Sequence, residues 1–253
     1  MDAPTDAHGQ SSLRRLEARV NELEARIAAL ESTRVAAPES TRTATRSSGR
    51  SEGRGGEGAS PAALNAAGWT VPYVVAELEV AETWIELHEP SARPQLQRLL
   101  RQVVDEEGPI TDRLALDRVR RAWGLRRAGG RVQEAFDQAV RQLLARALVQ
   151  REGDALVVPG TQVTAVRVPT EDEATRRGAE DVPLVELALA LANAARAVGR
   201  CDEGDLTMQV AKLLGWTRRG GAIQERLAAA LDHAASQGMI ERAGGRVRAV
   251  DRA

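Results

Sequence analysis

The sequence predicts a mainly α-helical protein made of two copies of one small domain, preceded by an N-terminal coiled-coil helix. Three observations carry this expectation. Gly124-Leu125-Arg126-Arg127-Ala128-Gly129-Gly130-Arg131 returns as Gly215-Trp216-Thr217-Arg218-Arg219-Gly220-Gly221-Ala222, a shift of 91 residues. The same shift relates Val132 to Ile223, Gln133-Glu134 to Gln224-Glu225, Phe136 to Leu227, Gly108 to Gly199 and Val119 to Val210. Apolar residues around both copies recur at helical spacing, and a heptad pattern stands ahead of them. A period this long exceeds that of solenoid units and marks a duplicated domain.

Residues 1–10 are expected to be disordered. Over 11–32, Leu13, Val20 and Ile27 fall at heptad position a, and Leu16, Leu23 and Leu30 at d. β-Branched residues at a with Leu at d favour a parallel dimer, and Arg19 and Arg26 at g face Glu24 and Glu31 at e. The alternative is a helix packed on its own domain; the polar outer face favours the coiled coil. Residues 33–63 are Ser, Thr, Gly, Ala and Arg with almost no large apolar side chain, too little burial to offset chain entropy. This stretch is expected to be a disordered linker, with a loose phosphate-tracking tether as the alternative.

The first copy, with its lead-in, is placed at 64–160. Trp69, Tyr73 and Trp84 are expected to pack the lead-in against the copy, with base stacking as the lesser alternative. Pro94 can open a helix with Leu96, Leu99, Leu100, Val103 and Val104 inward, and Gly108-Pro109 stops it. Ile110 suits a short strand, and Thr111 suits the N-cap of a second helix carrying Leu116, Val119 and Trp123 inward. Gly124 ends that helix. A third helix is expected from about Arg131 to Ala147, followed by a hairpin around Glu152-Gly153-Asp154. Residues 161–182 read as an inter-domain linker with an acidic patch at Glu171, Asp172 and Glu173. The second copy, 183–253, repeats the order: helices near Leu184–Val198, Asp205–Leu214 and Ala222–Gln237, a short strand at Arg200–Asp202, and a wing around Gly244-Gly245. Helix, short strand, helix, turn, helix, hairpin is the order of a winged helix-turn-helix, so the fold expected is a tandem of these with small β-hairpin wings.

Composition narrows the chemistry. The net charge is −1, and Lys212 is the single lysine, so nearly all the positive charge is arginine. Cys201 is the single cysteine, which excludes an internal disulfide and a multi-cysteine zinc site. His8, His88 and His233 lack zinc spacing, and His88 beside Pro90 reads as structural. No Gly-Lys-Ser/Thr phosphate loop exists, because Lys212 follows Ala211 within a helix. No catalytic residue, metal or cofactor is therefore expected. Cys201 reads as a buried small residue. No apolar h-region follows Met1, and a cytoplasmic, non-membrane protein is expected.

Arg113, Arg118, Arg120, Arg121, Arg126, Arg127 and Arg131 crowd the second helix and turn of the first copy. In a helix-turn-helix this region approaches the nucleic-acid backbone, and the third helix offers free N–H groups to phosphate. Arg120, Arg121, Arg126, Arg127 and Arg131, with Arg218 and Arg219 repeating the placement, are the candidate phosphate contacts, probing duplex DNA rather than reading its sequence. Glu134, Asp137, Glu225 and Asp232 on the third helices oppose phosphate, so a protein-docking role stays open beside DNA binding.

Glu107-Gly108-Pro109-Ile110, Trp123-Gly124-Leu125-Arg126-Arg127-Ala128-Gly129, Val166-Arg167-Val168-Pro169 and Leu213-Leu214-Gly215-Trp216-Thr217-Arg218 carry a resemblance. From about Tyr73 to Val250 the chain resembles the uncharacterised winged-helix region at the C-terminal end of large bacterial superfamily I helicases. Those proteins often carry a Vsr-like, restriction-endonuclease-type module just before it. The helicase and nuclease parts are lacking here, with the coiled coil and linker in their place. The resemblance implies a DNA-processing setting (repair, restriction or phage defence), supplies no catalytic residue, and makes a helicase or nuclease a natural protein partner.

Overall fold

The computed structural model describes residues 68–81, 84–217 and 220–250. The heptad helix, the segments 1–10 and 33–63, and the pair Arg218 and Arg219 lie outside the described residues. The fold is mainly α with small sheets. Strand β1 (Thr70–Pro72) precedes α1 (Arg93–Glu107), β2 (Ile110–Thr111), α2 (Asp112–Ala122), α3 (Gly130–Ala145), β3 (Gln150–Glu152) and β4 (Ala155–Val157). Then come β5 (Val166–Val168), α4 (Leu184–Val198), β6 (Cys201–Asp202), α5 (Glu203–Leu213), α6 (Gly221–Ser236), β7 (Ile240–Ala243) and β8 (Arg246–Ala249).

The duplication is residue-exact in the three helices. The bounds of α1, α2 and α3, moved by the 91 residues read from the sequence, are those of α4, α5 and α6. Each copy closes with a three-stranded sheet in the same order, β2-β4-β3 and β6-β8-β7. Ile110 pairs with Leu156, and its equivalent Cys201 pairs with Val247.

Local chemistry explains the elements. Pro94 in the first turn of α1 costs no hydrogen bond, and Leu96, Leu99, Leu100, Val103 and Val104 are buried together. Each such side chain contributes about 1.5–3 kcal/mol on burial. A Cβ on Gly108 would stand 2.4 Å from the Val104 carbonyl oxygen, so the chain can leave α1 this closely only with glycine there. Thr111 Oγ1 accepts from the Leu114 amide at 3.3 Å, and its equivalent Asp202 Oδ1 accepts from Gly204 at 2.7 Å. Gly124 and Gly215 both end a helix at positive φ, +75° and +77°. The next amides, Leu125 and Trp216, donate back to the Arg120 and Ala211 carbonyls at 2.8 Å.

Two cores result. The first gathers Tyr73, Phe136, Val140 and Leu143 around α1; the second gathers Leu187, Leu191, Leu206 and Leu231 with many alanines. The lead-in corrects two expectations. Tyr73 is buried in the first core, but Trp69 packs against the second, and Trp84 is 75% exposed. The reason is strand pairing: β1 lies parallel to β5, which precedes the second copy, and this draws Trp69 across. Residues 161–182 therefore hold more than a connection. Besides β5 they bury Val166, Thr175, Arg177, Ala179 and Val182.

Candidate functional site

The arginine-rich region of the first copy separates into two groups. On α2, Arg113 meets Glu180 and Asp181, Arg118 meets Glu107, and both Arg120 and Arg121 meet Asp117. Arg120 also donates to the carbonyls of Leu125 and Arg126, at 2.9 and 2.7 Å. Its guanidinium staples the turn to the helix. Arg121 remains largely exposed, with its Nε 2.7 Å from Asp117. Arg126, Arg127 and Arg131 are different: all three are exposed, and their side chains have no carboxylate or hydrogen-bond partner among the described residues.

These three flank the start of α3. Its N-cap, Gly129, offers no side chain to cap the first turn, and Gly129 and Gly130 are both exposed. The opening N–H groups therefore face solvent with the positive end of the helix dipole behind them. The second copy has the same uncapped start at Gly220 before α6. Beside the α3 terminus lies a pocket of about 420 Å³, walled by Ile85, Leu87, Trp123, Leu125 and Val132. Trp123 Nε1 donates to the Ile85 carbonyl at 2.8 Å and so holds the lead-in against the turn. Glu86, which also lines the pocket, stands 3.3 Å from His88 Nδ1.

On α3, Asp137 accepts from Gln133 Nε2 at 2.8 Å, and Glu134 is exposed. The hairpin of the second copy holds paired arginines. Arg242 on β7 is shared between Glu203 and Asp232, and Arg248 is bound to Glu241. The tip of the first hairpin is occupied: Asp154 Oδ1 accepts from Leu184 N at 3.0 Å, opening α4, and its Oδ2 takes Arg226.

A second constellation escaped the sequence. Tyr73, Glu107, Arg118, Arg167, Arg177 and Glu186 form one buried cluster where the two copies and both lead-ins meet. The Tyr73 hydroxyl donates to Glu107 Oε2; Arg118 Nε reaches both Glu107 oxygens at 3.1 and 3.0 Å. Arg177 binds Glu186 through both nitrogens at 2.8 Å, and Arg167 adds a bond to Glu186 at 2.6 Å and others to the Glu107 and Pro109 carbonyls. The three guanidinium carbons lie 4.2, 5.2 and 5.9 Å from the Tyr73 ring centre (Arg177, Arg167, Arg118), within cation–π range. Burial alone raises the Glu186 carboxyl, but the hydrogen bonds and charge of Arg177, then of Arg167, outweigh it and hold the group at about 2. Burial and then the Glu107 charge push the Tyr73 hydroxyl well above the usual phenol range, keeping it a donor.

The signal for this cluster was present but undecoded. Glu107 and Arg167 stand inside two of the motifs that carry the family resemblance, and Glu186 is the lone acid in the apolar run of α4. Every carboxylate oxygen in the cluster is engaged with an arginine, tyrosine or backbone donor, so its chemistry is that of a joint rather than a reaction centre.

Among the described residues no group of His, Cys, Asp and Glu is arranged to hold a metal ion. Cys201 is half-buried rather than fully buried; burial, then Asp205 and Asp202, push its thiol up and away from the reactive thiolate. No described helix is long and apolar enough to cross a membrane.

Residues 86–134 match the family described as "Protein of unknown function (DUF3320)". The match runs from the pocket wall at Glu86 through α1 and α2 to the first turns of α3, and so contains Arg126, Arg127 and Arg131. No curated protein and no solved structure matches the chain.

Proposed function

We propose that the protein is a non-enzymatic DNA-binding accessory factor of a bacterial DNA-processing system (repair, restriction or phage defence). In this reading each copy is a winged helix-turn-helix, and the heptad residues Leu13, Leu16, Val20, Leu23, Ile27 and Leu30 pair two chains in the cytoplasm. Pairing raises effective concentration, so weak contacts add.

One observation carries the reading: Arg126, Arg127 and Arg131 stay unpaired around an uncapped helix N-terminus, while every α2 arginine has a carboxylate partner. Unpaired guanidinium forks and open N–H groups suit phosphate oxygens, which bring affinity without sequence information. Arg218 and Arg219 occupy the repeat-equivalent place in the sequence and extend the same role to the second copy. The match at 86–134, to a family without assigned function, falls on this region, and the resemblance to helicase end regions supplies the setting.

A protein-docking adaptor for a helicase or nuclease is the second reading. It draws on the lead-in, where Val71 and Val74 are 41% and 62% exposed.

Gly129→Asp separates the two. The backbone at Gly129, φ −78° and ψ 170°, suits an N-cap aspartate, which relative to glycine stabilises a helix by about a few tenths of a kcal/mol. The same carboxylate would occupy the N–H groups and repel phosphate. The variant is expected to melt no lower than wild type and to bind duplex DNA more weakly in fluorescence anisotropy. Unchanged duplex binding by the well-folded variant would overturn the phosphate reading and leave docking.

A further inference from the structure

The pocket beside the α3 terminus has features that a plain phosphate clamp does not need. Its wall is apolar, its volume of about 420 Å³ lies in the roughly 300–1,000 Å³ range of small-ligand sites, and it is open to solvent. Gly129, Gly130 and Arg131 line it and also supply the phosphate-binding groups. Trp84, directly before the lining residue Ile85, leaves its side chain 75% exposed. It is the one aromatic among the exposed large apolar residues of the described chain. A single exposed apolar residue needs no explanation, but an exposed indole one residue from the wall of an apolar pocket that the unpaired Arg131 also lines is a coherent surface.

We infer that this pocket receives an unpaired nucleobase, so that the preferred ligand is DNA with a single-stranded tail beside a duplex. The inference rests on the phosphate reading above and names the substrate class of that same site. A base in a duplex is stacked and shielded, and extruding it costs a few kcal/mol; a base in a tail is already free. Its flat face stacks on the Trp84 indole or enters the Ile85, Leu87 and Trp123 wall, while its own phosphates reach Arg126, Arg127, Arg131 and the α3 amides. Glu86, the carboxylate on the rim, opposes phosphate but can accept from the exocyclic amine of cytosine. That placement orients the nucleotide with its base toward Glu86 and its backbone toward the arginines. An acidic peptide with an apolar anchor is the competing occupant, and DNA of two shapes tells them apart.

The experiment measures anisotropy of the full chain with a labelled blunt duplex and with the same duplex carrying a short single-stranded tail. Trp84→Ala and Trp84→Phe are measured beside the wild type. Stacking on an aromatic is worth roughly 5- to 150-fold in affinity per base. The tail is expected to tighten binding. Trp84→Ala should remove that gain within this range and leave blunt-duplex binding unchanged, and Trp84→Phe should keep most of it. Melting curves verify folding, which the exposure of Trp84 should preserve. Equal wild-type affinity for blunt and tailed DNA, with salt-sensitive binding to both, overturns this inference alone. So does a tail preference that Trp84→Ala leaves intact. Absence of binding to either DNA at low salt overturns the phosphate reading with it.

Discussion

In the first copy the helix Asp112–Ala122 carries Arg113, Arg118, Arg120 and Arg121, whereas its equivalent Glu203–Leu213 in the second carries Lys212 as its one cation. The cores diverge in the same way. Leu99, Val103 and Val104 of α1 stand where α4 has Ala190, Ala194 and Ala195, although Leu96 and Leu100 recur as Leu187 and Leu191. A few leucines, two helix caps and a glycine turn are thus sufficient to keep the backbone, and the other positions are free to take up different work. The first copy holds an arginine turn and an open pocket. The second grips the first hairpin through Arg226 and the start of α4.

The joint between them shows the asymmetry most sharply. Glu186 and Arg118 are members of the buried cluster, and the repeat places Gln95 and Gln209 at their equivalent positions. Those glutamines carry the two buried side-chain polar atoms, Nε2 and Oε1, that lack a hydrogen-bond partner among the described residues. The duplicated positions thus hold charge where the copies meet and a neutral amide where they do not.

The largest expected effect follows from that contrast. Glu186→Gln leaves Arg167 and Arg177 buried without their carboxylate and should cost about 3–5 kcal/mol in chemical denaturation. Gln95→Leu at the equivalent site removes an unsatisfied atom and should be near neutral or stabilising. Similar losses from both would mean that the joint is not special.

Acid should open the same joint. Glu186 is held at about 2 against an ordinary value of 4.5, so as pH falls the unfolded chain takes up the proton first. The stability it confers is complete above about 4.5, declines as pH drops through this window, and is lost near 2. Melting temperatures of wild type and Glu186→Gln should converge across that window; a constant gap would contradict the assignment.

A smaller and more even effect is expected from the tryptophans. Trp123 Nε1 donates to the Ile85 carbonyl and Trp216 Nε1 to the Arg177 carbonyl, both at 2.8 Å. Each indole ties its copy's lead-in to its glycine turn. Trp123→Phe and Trp216→Phe should each lose about 1 kcal/mol in denaturation, the net worth of one hydrogen bond plus a modest packing change.

How much of this was legible in the sequence depended on the range of the interaction. Helix starts and stops are local: Pro94, Thr111, Gly124 and Gly215 set them, and the helix bounds expected from these residues lie close to those observed. The pairing of β1 with β5 and the cluster around Glu186 join residues up to 104 positions apart in the chain, as Tyr73 is from Arg177, and no periodicity reports such contacts. Part of the arginine pairing was hidden for the same reason. Sequence spacing shows that Arg113, Arg118 and Arg120 are near the turn; only the fold brings Glu180, Glu107 and the Leu125 carbonyl to them. Trp84 illustrates the converse, because an aromatic in an apolar stretch is expected inside and instead faces solvent.

The most direct test of the central claim, that the first copy's turn grips the phosphate backbone, is the salt dependence of duplex binding by wild type and by Arg126→Ala/Arg127→Ala/Arg131→Ala. Each phosphate neutralised by an arginine adds about 0.9 to the slope of log affinity against log salt. The account predicts a shallower slope, by about 0.9 for every phosphate that the variant leaves unneutralised. The melting temperature should not change, because none of the three side chains has a partner among the described residues to give up. An unchanged slope in the folded triple variant would contradict it.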